Sequence, residues 1–85
     1  MTYKFQGYEI PNHVLGGLER YINDHIRPGD FLMAVLCNDF VHAVAKADTH
    51  SIQNLKAYMG YLYNVAPSVC WGSHENVRDW LNTKL

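Results

Sequence analysis

Residues 30–47 read DFLMAVLCNDFVHAVAKA, and the way this stretch folds decides the rest of the chain. Asp30 follows the helix-breaking Arg27-Pro28-Gly29 and is placed to cap a helix, its carboxylate accepting from exposed backbone N–H groups at the positive helix end. From Phe31 to Cys37 every residue is apolar, so a helix here has no water-facing side and must be surrounded by other protein. Beyond it, Asn38, Asp39, His42 and Lys46 fall within one stripe at i, i+3 and i+4 spacings, the solvent side of a helix. The stretch therefore predicts one central helix from Phe31 to about Ala47, with only its C-terminal half reaching water. A helix enclosed in this way calls for others around it, and the expected architecture is all-α: a compact bundle of about four short helices.

On the C-terminal side, Asp48, Thr49 and Ser51 form a start signal, and Ile52, Leu55, Met59, Leu62 and Ala66 then keep spacings of three, four, three and four up to Pro67. Val69, Cys70 and Trp71 make an apolar connector. A last helix follows, with Ser73 as cap, Glu75 in its first turn, and Val77, Trp80 and Leu81 facing inward. On the N-terminal side, residues 11–25 carry Val14, Leu18, Tyr21, Ile22 and His25 on one face. Gly16 and Gly17 interrupt that helix at about 1 kcal/mol each relative to Ala, which predicts a close crossing by another element, or a ligand or partner against the bare helix surface. Tyr3, Phe5, Tyr8 and Ile10 alternate around Gln6-Gly7, as in an extended arm or very short hairpin that must lie on the body or on a neighbouring subunit. The whole chain, 1–85, reads as a single helical domain, with residues 1–10 as the arm and 11–85 as the helical body.

Composition narrows the function. The 85 residues are 48% hydrophobic and 18% charged, too apolar for a disordered segment and too few for two cores. Seven Lys and Arg against eight Asp and Glu give a net charge of −1, so nothing drives the chain toward nucleic acid or anionic lipid. The longest apolar run is seven residues against the ~20 that span a bilayer, and Met1 to Asn12 lacks a secretory signal; no membrane role and a cytoplasmic location are expected. Cys37 and Cys70, with 32 residues between them and no CxxC, read as reduced thiols, Cys37 as a small buried hydrophobe.

Several constellations bear on chemistry. Asp39 lies three residues before His42 and can orient its imidazole as a general base, but no Ser, Cys or Lys nucleophile is placed beside the pair. No catalytic residue is assigned. His13, His25, His42, His50 and His74 show no metal-ligand spacing, so neither a metal nor any other cofactor is expected. Arg20 and Arg27 beside helix N-termini suit an anion, although Arg20 can instead pair with Asp24 four residues on. Aromatic residues make 13% of the chain, more than so small a core encloses, which points to rings facing a partner; Tyr58, Tyr61, Tyr63 and Trp71 are the candidates.

Ile10-Pro11, Gly17 to Ile22 (GLERYI), Pro28 to Asp39 (PGxFLxAVLxND), Ala47-Asp48 and Cys70 to Ser73 (CWGS) together resemble a set of small proteins encoded in bacteriophages and prophages. The resemblance covers residues 8–81 and leaves Met1 to Gly7 outside. It implies a phage accessory protein in the host cytoplasm and brings no established activity with it. Proteins of that kind act by stoichiometric binding, blocking a host or defence protein or sequestering a small nucleotide-like ligand. The expectation is therefore a non-enzymatic anti-defence binding protein, working as a homo-oligomer. Its surface for ligand or partner would combine Arg20, Tyr21, Asn38, Asp39, Trp71 and Ser73. A different class is a DNA-binding regulator, with Asp30 to Ser51 as two helices and a turn and a recognition helix from near Thr49; Lys56 would be that helix's only basic residue, which weighs against it. A small hydrolase using Asp39 and His42 is a third.

Overall fold

The computed structural model describes residues 2–83; the outermost parts of the expected arm and body, residue 1 and residues 84–85, lie outside the described residues. Two strands, β1 (Tyr3–Phe5) and β2 (Tyr8–Ile10), precede six helices: α1 (Asn12–Asp24), α2 (Asp30–Leu36), α3 (Phe40–Lys46), α4 (Thr49–Gln53), α5 (Leu55–Asn64) and α6 (His74–Asn82). A 3-10 turn, Ser68–Cys70, lies between α5 and α6. The fold is thus mostly helical with a small antiparallel sheet, and the arm is the short hairpin of the two forms the alternation allowed. Gln6 and Gly7, at φ 51° and 87°, make the tight turn, and Tyr3 pairs with Ile10 and Phe5 with Tyr8.

The expected central helix is two helices. Asn38 adopts a left-handed conformation at φ 59°, which Asn tolerates better than most residues, and this ends the first segment. Asp39 then caps α3, its Oδ1 accepting from the His42 N–H at 3.4 Å. The polar residues read as the wet side of one helix are the corner between two. Cys37 is buried, as expected. The cap of α2 is Gly29, one residue earlier than Asp30, which stands instead in the first turn where its charge still complements the helix end.

The long helix expected after Asp48 also divides. Asp48 caps α4 through the Ser51 N–H at 2.7 Å, and Asn54 then separates α4 from α5. The Asn54 side chain accepts from the Glu9 N–H of β2 at 2.9 Å and donates to the His50 carbonyl at 2.8 Å. Continuity of the helix is exchanged for a tie to the hairpin. The break also changes which residues face inward: Ala57, Tyr58, Gly60, Tyr61 and Leu62 are buried, while Ile52 and Met59 of the expected seam are exposed.

The hairpin packs on α5. A Cβ at Gly60 would lie 2.6 Å from the Phe5 ring, so only glycine admits this approach, and Tyr3 meets Tyr61 edge to face at 5.2 Å. At Gly16 and Gly17 no such crossing occurs: the nearest neighbouring helix atom is Leu32 Cδ1, 3.5 Å from where a Gly17 Cβ would stand. The core gathers Ile10, Leu18, Tyr21, Leu36, Tyr58, Cys70 and Val77 from β2, α1, α2, α5, the connector and α6. Three polar contacts fasten α1 to the C-terminal part. The Tyr21 hydroxyl donates to the Cys70 carbonyl at 2.7 Å, Trp80 Nε1 to the Tyr21 carbonyl at 2.9 Å, and His25 Nδ1 to the Trp80 carbonyl at 2.7 Å, with the His25 and Trp80 rings stacked at 4.3 Å. Ser73 caps α6 as the sequence indicates, accepting from the Asn76 N–H at 3.0 Å.

Candidate functional site

Helix α3 is the least enclosed part of the body. Ala43 is its buried residue, whereas Phe40 and Val41 are 73% and 71% exposed and Val44 is also exposed. An apolar helix with so little cover leaves a face that water solvates poorly. Between α3 and α5 runs a groove of about 460 Å³, with Phe40 and Ala43 on one side, Met59 and Tyr63 on the other, and Trp71 among its lining. Tyr63 is 78% exposed. Tyr8, Phe40 and Tyr63 are the exposed rings among the described residues, and two of the three line this groove. Trp71 Nε1 is buried without a hydrogen-bond partner among the described residues, and the buried Tyr58 hydroxyl, beside Ser51, meets no partner at full hydrogen-bond geometry. A buried donor left unsatisfied costs about 1–3 kcal/mol.

The rim at the α2–α3 corner is polar. Asp39 Oδ2 accepts from His42 Nδ1 at 2.8 Å and from His74 Nε2 at 3.3 Å, which joins the start of α3 to the start of α6. The His42 contact holds the Asp39 carboxyl below its ordinary pKa, with His74 adding to the effect. The imidazole is therefore oriented as the three-residue spacing suggests. Its surroundings do not supply a nucleophile: burial, with the Asp39 charge adding, pushes the Cys37 thiol up and keeps it protonated, and the Ser73 hydroxyl is engaged as a cap. Among the described residues no three His, Cys, Asp or Glu side chains are arranged to hold a metal ion.

The six residues expected to share one surface are spread over three places. Asn38, Asp39 and Trp71 line the groove. Ser73 stands two residues from Trp71 in the same connector, occupied by its capping bond. Tyr21 is 0% exposed, with its hydroxyl bonded to the Cys70 carbonyl and raised in pKa by burial, so it belongs to the interior. Arg20 lines a different cavity and forms no ion pair with Asp24. Of the four watched rings, Tyr58 and Tyr61 are core, and Tyr63 and Trp71 line the groove. Phe40 carries no signal of its own, Met59 belongs by spacing to the buried seam, and His74 is considered only as a metal ligand, whereas Phe40 and Met59 are exposed and His74 meets Asp39. Only the capping signals at Asn54 and Asp39, read as breaks, would have turned Phe40 and Met59 outward; nothing in the sequence connects His74 with Asp39.

The helix that a DNA-binding reading starts near Thr49 ends at Gln53, and the helix after it points Tyr58, Tyr61 and Leu62 into the core. No helix of the described residues is long and apolar enough to cross a membrane. No family model, no curated protein and no solved structure matches this chain.

Proposed function

We propose that the chain acts by stoichiometric binding, with the α3–α5 groove receiving an apolar helical segment of a protein partner. The observation that carries the reading is the exposure of Phe40 and Tyr63, at 73% and 78%, on the two walls of one apolar groove. Two helices flanking a trough of this size suit a third laid between them, anchored by residues at i, i+3, i+4 and i+7. The polar corner at Asn38 and Asp39 gives the apolar floor a rim, as in protein interfaces generally. The likeness to phage-encoded proteins supports a host or defence protein in the cytoplasm as the partner. A second copy of the chain is the other occupant, in line with the expected homo-oligomer.

The test is the double variant Phe40→Ser/Tyr63→Ser. Both side chains point to water, so its folding stability stays within about 0.5 kcal/mol of wild type. Light scattering reads self-association, and chemical crosslinking in cells that express the chain reads association with another protein. Loss of whichever complex wild type forms, with an unchanged circular-dichroism melt, supports the groove. A complex that persists unaltered in the double variant refutes it.

A further inference from the structure

A second cavity, of about 490 Å³, opens where α1, the turn before α2 and the start of α4 meet, and it shares no lining residue with the apolar groove. Arg20, Arg27 and Lys46 line it, and none of them pairs with a carboxylate among the described residues. Two carboxylates also line the cavity. Asp48 is committed to the Ser51 N–H at 2.7 Å, which holds its pKa below the ordinary value, and Asp30 complements the N-terminus of α2. Three cations without a carboxylate partner among the described residues therefore share the cavity with two carboxylates, which leaves one positive charge in excess.

Of the two adjacent glycines of α1, Gly17 lines this cavity. Two adjacent glycines inside α1 are costly to a helix, and no neighbouring helix crosses tightly enough to account for both. What lies on them is the Arg20 guanidinium: Nη1 stands 3.2 Å from the position of a Gly16 Cβ and Nη2 3.8 Å from that of a Gly17 Cβ. The side chain, exposed to solvent, folds back along its own helix over bare backbone and lines the cavity. A guanidinium placed here suits the paired oxygens of a phosphate, and a second guanidinium and an ammonium supply further charge. Val14, Ile26 and Phe31 on the same lining give an apolar seat for the rest of a ligand. The volume lies within the ~300–1,000 Å³ usual for small-molecule sites.

The geometry points to a binding site for a small phosphorylated molecule of about nucleoside-monophosphate size, with Arg20, Arg27 and Lys46 on the phosphate. This site stands independently of the protein-binding groove. Isothermal titration of the whole chain with inorganic pyrophosphate, adenosine 5′-monophosphate and adenosine tests it. Both phosphate probes bind, adenosine does not, and binding weakens as salt is raised. Arg20→Met and Lys46→Met each weaken binding by about tenfold or more, whereas Arg78→Met, on α6 outside the cavity, leaves it unchanged. Gly16→Ala raises the melting temperature yet weakens binding, because the added methyl helps the helix and displaces the guanidinium. Binding of pyrophosphate alone assigns the site to inorganic phosphate chemistry, and tighter binding of the nucleotide assigns the apolar seat to its nucleoside; either supports the site. No binding of either phosphate probe, equal binding of adenosine, or equal loss in Arg78→Met overturns it. Phe40→Ser/Tyr63→Ser binds these probes as wild type does, so failure of one site is distinguishable from failure of the other.

Discussion

Gly60→Ala should destabilise the wild-type protein and stabilise a Phe5→Ala variant. In an ordinary helix interior the change is favourable by about 1 kcal/mol, because alanine restricts the unfolded chain and glycine does not. Here the new Cβ meets three carbons of the Phe5 ring at 2.6–2.8 Å, so the ring must retreat by roughly 0.8 Å to reach even a tight contact. Phe5 is held by the hairpin on one side and α5 on the other, and forced repacking of this kind costs about 2 kcal/mol. The net effect in wild type is a loss of about 1 kcal/mol, or about 4–8 °C in melting temperature for a domain of this length. With Phe5 cut back to Ala the obstacle is gone and the helical gain of about 1 kcal/mol emerges. Chemical denaturation of the four proteins in this cycle measures the coupling directly, expected at about 2 kcal/mol. A Gly60→Ala substitution that stabilises both backgrounds equally refutes the claim that the hairpin is seated on that glycine.

Trp80→Phe keeps most of the ring but removes the donor to the Tyr21 carbonyl, and should cost about 1–3 kcal/mol by urea unfolding; an unchanged midpoint contradicts the fastening of α1 to α6. Asp39→Asn retains a capping side chain and loses the charge. Because the His42 contact holds the folded carboxyl below 3.8, its contribution is present above that pH and disappears as pH falls through the lowered value. Wild type should therefore exceed the Asn variant at pH 7, and the two should converge once the pH has fallen through the lowered value; a gap that stays constant into strong acid contradicts this. Burial raises the Cys70 thiol to about 11 and raises that of Cys37. A thiol reagent at pH 8 should label neither cysteine in the folded protein and both after denaturation, and rapid labelling of the native chain would show an open interior.

Apolar content and helical periodicity made the helical character legible, and the capping role of Ser73 could be read directly because a side-chain oxygen three residues before a backbone donor is a local arrangement. The two breaks were not read. Asn38 and Asn54 are tolerable in a helix, and the break at Asn54 depends on a partner outside the segment, the Glu9 N–H 45 residues away. Once these breaks are in place, Phe40 and Met59 turn outward and the groove exists. The same limit applies to the expected ligand surface. Arg20 and Tyr21 are adjacent in sequence, yet the helix sends one to a cavity and the other to the core. His74 meets Asp39 across 35 residues, which no spacing rule anticipates.

The bonds that hold α1 join residues 21 and 25 to residues 70 and 80. During synthesis the first helix leaves the ribosome long before any of its polar counterparts does, so the Tyr21 hydroxyl and the His25 ring stay with water as their only company until the connector and last helix emerge. Closure of this fold accordingly waits until residue 80 has emerged, and nascent chains stalled upstream of residue 70 should remain protease-sensitive throughout α1.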